Sequence, residues 1–156
     1  MKPEVKLWPS EVRKAVLAEH SHIRATLVEV ERLAGRCIDG DRNANAELRT
    51  LVASFLRYFE NHLRYEERML VPVLRDDFAW GKDRCERLAA EHLEQRVHLA
   101  SIGDKAADPR FDPRALGELI HNLVLELTED MAGEERDLLT EEVLRDYPDT
   151  PDQNSG

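Results

Sequence analysis

Apolar residues along this chain recur at steps of three and four, the period of a helix laid against a core. The first run follows Trp8-Pro9, with Ser10 as its N-cap. Its stripe is Val12, Val16, His20, Ile23, Leu27, Val30 and Ala34, and Gly35 and Gly40 are candidate breakers. A second run opens near Asn43 to Asn45 and carries Leu48, Val52, Phe55, Phe59, His62, Glu66, Met69 and Val73. Pro72 falls inside it, removes one backbone donor, and should bend or loosen the last turn. The third begins around Phe78 to Lys82, carries Cys85, Leu88, His92, Arg96, Leu99 and Ile102, and ends by Gly103-Asp104. The fourth opens at Asp112-Pro113, a cap followed by proline at the first helical position. Its stripe is Leu116, Ile120, Leu123, Leu127, Asp130, Glu134 and Leu138, with the helix drawn on to residue 146.

Four long helices with short connections predict an all-α fold, an up-down-up-down antiparallel four-helix bundle over residues 1–146. The polar segment 147–156, YPDTPDQNSG, with its two prolines, is expected to be disordered.

Composition narrows the function classes. The net charge of −10 repels a phosphate backbone, so nucleic acid is not an expected partner. The chain has no apolar run of about 18 residues, so no membrane span is expected. The first residues, MKPEVKLWPSEV, lack the apolar stretch of a signal peptide, and a cytoplasmic location is the expectation. Cys37 and Cys85 have no metal-type spacing and are read as free thiols.

The polar residues inside the stripes call for an explanation. His20, His62 and His92 each sit near the middle of a helix, and Glu66, Asp130 and Glu134 share those faces. A buried carboxylate must be paired, protonated or bound to a metal. At a rise of ~1.5 Å per residue, His20, His62, Glu66, His92, Asp130 and Glu134 fall within one band about 10 Å thick. A single stripe histidine is ordinarily a satisfied core residue. The joint pattern favours a cation site, and this donor set suits iron, manganese or zinc. His22, His98 and His121 lie off the stripes and are read as surface residues, as are Tyr58 and Tyr65.

At AEHSHIRATL (18–27), FLRYFENHLRYEERMLVPVL (55–74), AAEHLEQRV (89–97) and DMAGEERDLL (130–139) the chain resembles the hemerythrin-like (HHE cation-binding) family, over about residues 10–145. The second segment is the most specific. The resemblance implies a non-haem di-iron centre with histidines as terminal ligands and two bridging carboxylates, with a hydroxide or oxide bridge. Carried over, His20 and His62 are terminal ligands of one iron, Glu66 and Glu134 the bridges, and His92 a terminal ligand of the other iron. Two positions depart from the family pattern. Arg96 stands where a histidine usually follows His92 by four residues, and Asp130 where one precedes Glu134 by four. Asp130 can still ligate, whereas a guanidinium has no lone pair to offer.

Two arrangements follow. In one, two ferrous ions bind Glu66, Glu134, Asp130 and a hydroxide, and Arg96 points away. In the other, Arg96 and Asp130 pair in the vacated half-site, and one ion binds His20, His62 and Glu66, with Glu134 and His92 near. The resemblance implies a small diatomic partner such as dioxygen or nitric oxide. The carboxylate-rich donor set points to oxygen or redox sensing, or iron handling, over oxygen storage. The competing class is a metal-free helical scaffold whose buried polar residues pair with one another. A hydrolase acting through water on a single ion is a weaker alternative. Nothing in the sequence fixes the oligomeric state.

Overall fold

A computed structural model describes residues 6–76 and 79–146, so the expectation for 147–156 and the start at Phe78 lie outside it. Every regular element among the described residues is helical. They are α1 (Pro9–Ile38), α2 (Asn43–Tyr65), a π-helical turn (Glu66–Leu70), α3 (Val71–Arg75), α4 (Gly81–Ala107) and α5 (Pro113–Asp137). Because α2, the π-turn and α3 follow one another without a break, the chain forms four helical rods that pack as a bundle.

Contacts run in opposite senses along two of the rod pairs. Between α1 and α5 they join Ser10 to Asp146, just beyond α5, then His20 to Glu135 and Glu31 to His121. Between the second rod and α4 they join Arg49 to Ala106, Glu60 to Arg96 and Glu66 to His92.

Several helix ends differ from the sequence expectation. Helix α1 starts at Pro9, with Trp8 ahead of it; the Glu11 carboxylate accepts the Trp8 N–H at 2.7 Å. Ser10 is therefore not the cap. Its amide and hydroxyl instead bond the Asp146 carboxylate at 2.8 and 2.7 Å, tying the start of α1 to the end of the described chain. Gly35 is passed through, and the helix stops before Gly40, whose φ of 89° is open to glycine. Helix α4 runs through Gly103 to Ala107. Asp112 caps α5 as expected, accepting the Ala115 N–H at 2.9 Å. That helix ends at Asp137, short of residue 146, because the apolar positions beyond it, Leu139 and Leu144, are buried from turns and not from a helix.

The stripes of α1 and α2 lie buried as read, but one break shifts the pattern. The sequence places Met69 and Val73 inward, whereas the structure buries Leu70 and Leu74. The π-turn is the cause. The Val71 N–H reaches back five residues to the Glu66 carbonyl, which inserts one residue into the helical count. Pro72 sits directly after it, with no N–H and a ring that crowds the carbonyl four residues back. Glu66 stays on the inner face while everything after it turns by one position.

Two apolar clusters form the core. One joins Ile23, Leu27, Phe55, Phe59, Leu63, Leu99, Ile120, Leu127 and Met131 among others. The other joins Val12, Val16, Leu70, Leu74, Leu88, Leu139 and Leu144. On each rod a polar residue separates the two clusters: His20 on α1, His62 and Glu66 on the second rod, His92 on α4, Glu134 on α5. Both cysteines are free.

Candidate metal centre

The dividing layer is dry. His20 and Glu66 are 0 % exposed, His62 and His92 2 %, and Glu134 8 %. Helical periodicity brings them there, since each replaces the hydrophobic residue that the stripe would otherwise carry at that level. The cost of such burial is offset only by partners.

Glu66 is the hub. Its Oε1 lies 2.5 Å from His62 Nε2 and 3.5 Å from His20 Nε2, while its Oε2 lies 3.0 Å from His92 Nε2. One carboxylate thus presents an oxygen to each of two groups of imidazoles. Glu134 Oε1 adds a contact at 3.4 Å to His20 Nε2. Ligand atoms of His20, His62 and Glu66 all fall within 4.8 Å of one another. The two imidazole rings meet edge-on, with centroids 5.1 Å apart.

The far ring nitrogens face outward to a second set of acids. His20 Nδ1 lies 3.0 Å from Glu135, His62 Nδ1 3.5 Å from Glu19, and His92 Nδ1 3.8 Å from Glu67. Two of these acids are held by arginines. Arg24 grips Glu135 at 3.1 and 2.6 Å, and Arg96 grips Glu67 at 3.1 and 2.5 Å. An acid behind an imidazole fixes its orientation and raises its basicity toward whatever the other nitrogen faces.

This corrects the proposed Arg96–Asp130 pair. Arg96 faces α2 and the π-turn, where Glu60 and Glu67 take its guanidinium and raise its pKa further. Asp130 instead accepts the Gln95 amide at 2.9 Å across the seam between α4 and α5. The stripe reading had put Arg96 inward, but the buried residue at that turn is Gln95, with Arg96 half-buried beside it. Asp130 is likewise half-buried, one turn from Glu134. The structure therefore brings His20, His62, Glu66, His92 and Glu134 together and holds Asp130 at the edge.

Sequence reasoning missed Glu91 and Gln95, which share a face of α4 turned toward α5. Their only sequence signal is the four-residue spacing flanking His92. It also missed the outer acids Glu19, Glu67 and Glu135, each next to a stripe residue in the chain. The off-stripe histidines lie away from the centre. His22 stacks on Tyr58 with centroids 4.8 Å apart, His98 meets Glu126 at 2.6 Å, and His121 meets Glu31.

Charge in the layer is strongly perturbed. Burial alone would lower the His20 pKa, but Glu134 and Glu66 outweigh it and push it up to about 10. Burial likewise opposes charge on His62, and Glu19 and Glu66 push it up to about 9. Burial would raise Glu66, yet the three histidines hold it well below the usual carboxylate range. Burial, then the neighbouring Glu66 charge, pushes Glu134 up to about 8. Burial, then Asp130 and Glu66, pushes Glu91 up to about 7.

The donor set fits a cation. His20 Nε2, Glu66 Oε1 and Glu134 Oε1 are buried and have no hydrogen-bond partner. His62 Nε2 approaches Glu66 Oε1 closely, but outside hydrogen-bond geometry. Native interiors seldom leave such atoms unmatched. Imidazole nitrogens and carboxylate oxygens aimed at one another's lone pairs, each backed by an acid, are the arrangement that transition-metal sites use.

The hemerythrin HHE cation-binding domain model matches residues 12–141. Searches of curated proteins and of solved structures each returned no match. The match spans all four rods and every residue of the buried polar layer, and the chain belongs to the hemerythrin HHE cation-binding domain family.

Proposed function

We propose that this protein binds iron, as two ions held in an up-down-up-down bundle, and uses it in oxygen or redox sensing or in iron handling. The observation that carries the reading is the split of Glu66, with Oε1 facing His20 and His62 and Oε2 facing His92. A carboxylate placed in this way would offer one oxygen to each of two ions. His20 and His62 would hold one ion, His92 the other, and Glu134 would complete the bridge. The opposed contacts along α1 and α5, and along the second rod and α4, support the topology. No helix among the described residues is long and apolar enough to cross a membrane.

The chain's own groups prepare the layer for this role. The flanking apolar clusters exclude water. Glu135 orients the His20 ring through a hydrogen bond, Glu19 and Glu67 place negative charge behind His62 and His92, and the protons held on His20, His62 and Glu134 are what a cation would displace. Bound iron would supply redox chemistry and affinity for dioxygen or nitric oxide. A site with more carboxylates and fewer imidazoles favours the ferric state, which argues for sensing or handling over reversible carriage. Aerobic oxidation of the reduced, iron-loaded protein, followed optically, tests this. Steady conversion to a ferric spectrum is expected; an oxygen adduct that releases oxygen under vacuum would contradict it.

A single-ion reading has one observation in its favour. Only His20, His62 and Glu66 gather their ligand atoms within 4.8 Å among the described residues. Metal content per chain separates the two.

A further inference from the structure

Helix α4 carries two stripes on opposite sides. The buried one, Leu88, His92, Gln95, Leu99, Ile102 and Ala106, packs into the bundle. On the far side Ala90, Leu93 and Val97 recur at the same steps of three and four, and all three are exposed. Leu93 and Val97 are each 66 % exposed. The outer face of a bundle helix ordinarily carries charge, and single apolar residues there need no explanation. Val28 and Leu125 are such single residues on α1 and α5, whereas Leu93 and Val97 continue a stripe.

This stripe lines an open groove that Glu94 and His98 carry toward α5, where Glu126 closes it. His98 Nδ1 meets Glu126 Oε2 at 2.6 Å, so the one basic side chain in the lining is already engaged. The Arg96 guanidinium is turned away to Glu60 and Glu67. Glu94 meets no cation among the described residues. The unmatched charge beside the apolar stripe is therefore negative.

A second copy does not suit this face. A two-fold axis that brings Leu93 and Val97 against their mates also sets Glu94, which lies between them in the chain, near its own mate, and each chain carries a net charge of −10. A helix with basic flanks does suit it. Apolar residues one turn apart on such a helix would cover Ala90, Leu93 and Val97, and lysines or arginines beside them would reach Glu94 and Glu126.

We propose that the outer face of α4 is a docking surface for a partner protein that presents an amphipathic helix with basic flanks. The buried polar layer lies on the opposite side of α4, so the surface stands independently of metal binding.

The probe is a synthetic helical peptide with leucines along one face and lysines on both flanks. It is titrated into the isotope-labelled full chain and followed by amide shifts and fluorescence anisotropy. One peptide per chain is expected, with shifts confined to residues 90–101 and to α5 around Glu126. A peptide of the same composition with its leucines scattered should bind about tenfold or more weakly, and so should one with glutamates in place of the lysines. Leu93→Ser/Val97→Ser should lower affinity about tenfold or more. Glu94→Gln/Glu126→Gln should lower it and flatten its dependence on salt. Val28→Ser, at a residue 72 % exposed on α1, should leave it unchanged. All these side chains lie at the surface, so the fold withstands the changes, as circular dichroism would record. Equal binding of the scattered peptide, or affinity untouched by Leu93→Ser/Val97→Ser, would overturn the proposal in favour of general attraction to an acidic chain. No binding by wild type would overturn it outright. A wild-type dimer in sedimentation velocity that Leu93→Ser/Val97→Ser dissolves would overturn it by assigning the face to a second copy.

Discussion

Replacing Glu66 by glutamine keeps the volume and one acceptor oxygen but removes the charge on which three imidazoles converge. In the metal-free protein the carboxylate hydrogen-bonds His92 Nε2 at 3.0 Å and lies 2.5 Å from His62 Nε2 as an ion-pair contact outside hydrogen-bond geometry. Hydrogen bonds to charged groups contribute about 1.5–3 kcal/mol each. The amide retains part of that, so a net loss of about 2 kcal/mol is expected. For a chain of this size that lowers the melting temperature by about 4–8 °C. The decisive change comes with metal. At a free-ion concentration of about 100 times Kd, binding to the native state alone adds about 2.7 kcal/mol. That corresponds to a rise of about 5–11 °C in wild type. Glu66→Gln loses the anion on which His20, His62 and His92 converge, and its melting temperature should barely respond to metal. Scanning calorimetry under anaerobic conditions, with and without Fe2+, measures both effects. An equal metal-induced rise in wild type and Glu66→Gln would refute the view that Glu66 is the hub of the centre.

Three other outcomes follow. Metal uptake should release protons and tighten as pH rises, about tenfold per pH unit for each proton displaced, because the metal-free layer holds protons on His20 and His62 with pKa values of about 10 and 9. By the same sign, the folded metal-free protein binds more protons than the unfolded chain above pH ~6.5. This part of its stability should therefore fade as pH rises through 9 to 10, which melts at pH 7 and pH 10 would record. Arg96→Ala frees Glu67 from behind His92, and metal affinity should fall by about 10–100-fold with helicity intact, as read by titration and circular dichroism. Gly81→Ala should destabilise the fold by about 1–3 kcal/mol in urea melts, because the new Cβ would lie 2.4 Å from the Leu74 carbonyl oxygen and 2.9 Å from that of Arg75, both backbone atoms.

The stripes of α1 and of α2 up to Glu66 could be read directly, since every stripe residue from Val12 to Ala34 and from Leu48 to Glu66 is buried. One histidine in a stripe is ordinarily a satisfied core residue; what signalled the centre was one on each of three helices, with carboxylates on the same faces at a shared depth. After Glu66 the periodic reading fails by one residue. Pro72 announced a disturbance, but not that it would take the form of a π-turn placing Leu70 and Leu74 inward. On α4 the error was angular. Arg96 lies four residues after His92 and Gln95 three, both spacings fall on one helical face, and only packing decides which side chain is inside. Glu91 went unnoticed because it lines the seam between two helices, and Asp130, read as a stripe residue, sits half-buried at that same seam. The end of α5 was overrun because Leu139 and Leu144 continue an apolar pattern that turns can also bury.

The central claim is that imidazoles and acids from separate helices meet at one level to trap a cation. Elemental analysis of the chain purified without chelator, beside His62→Ala, tests it most directly. The account predicts iron close to two ions per wild-type chain, lost in His62→Ala while the helical signal persists. No metal in either protein, together with identical thermal stability, would contradict it and leave a helical scaffold with a buried polar layer.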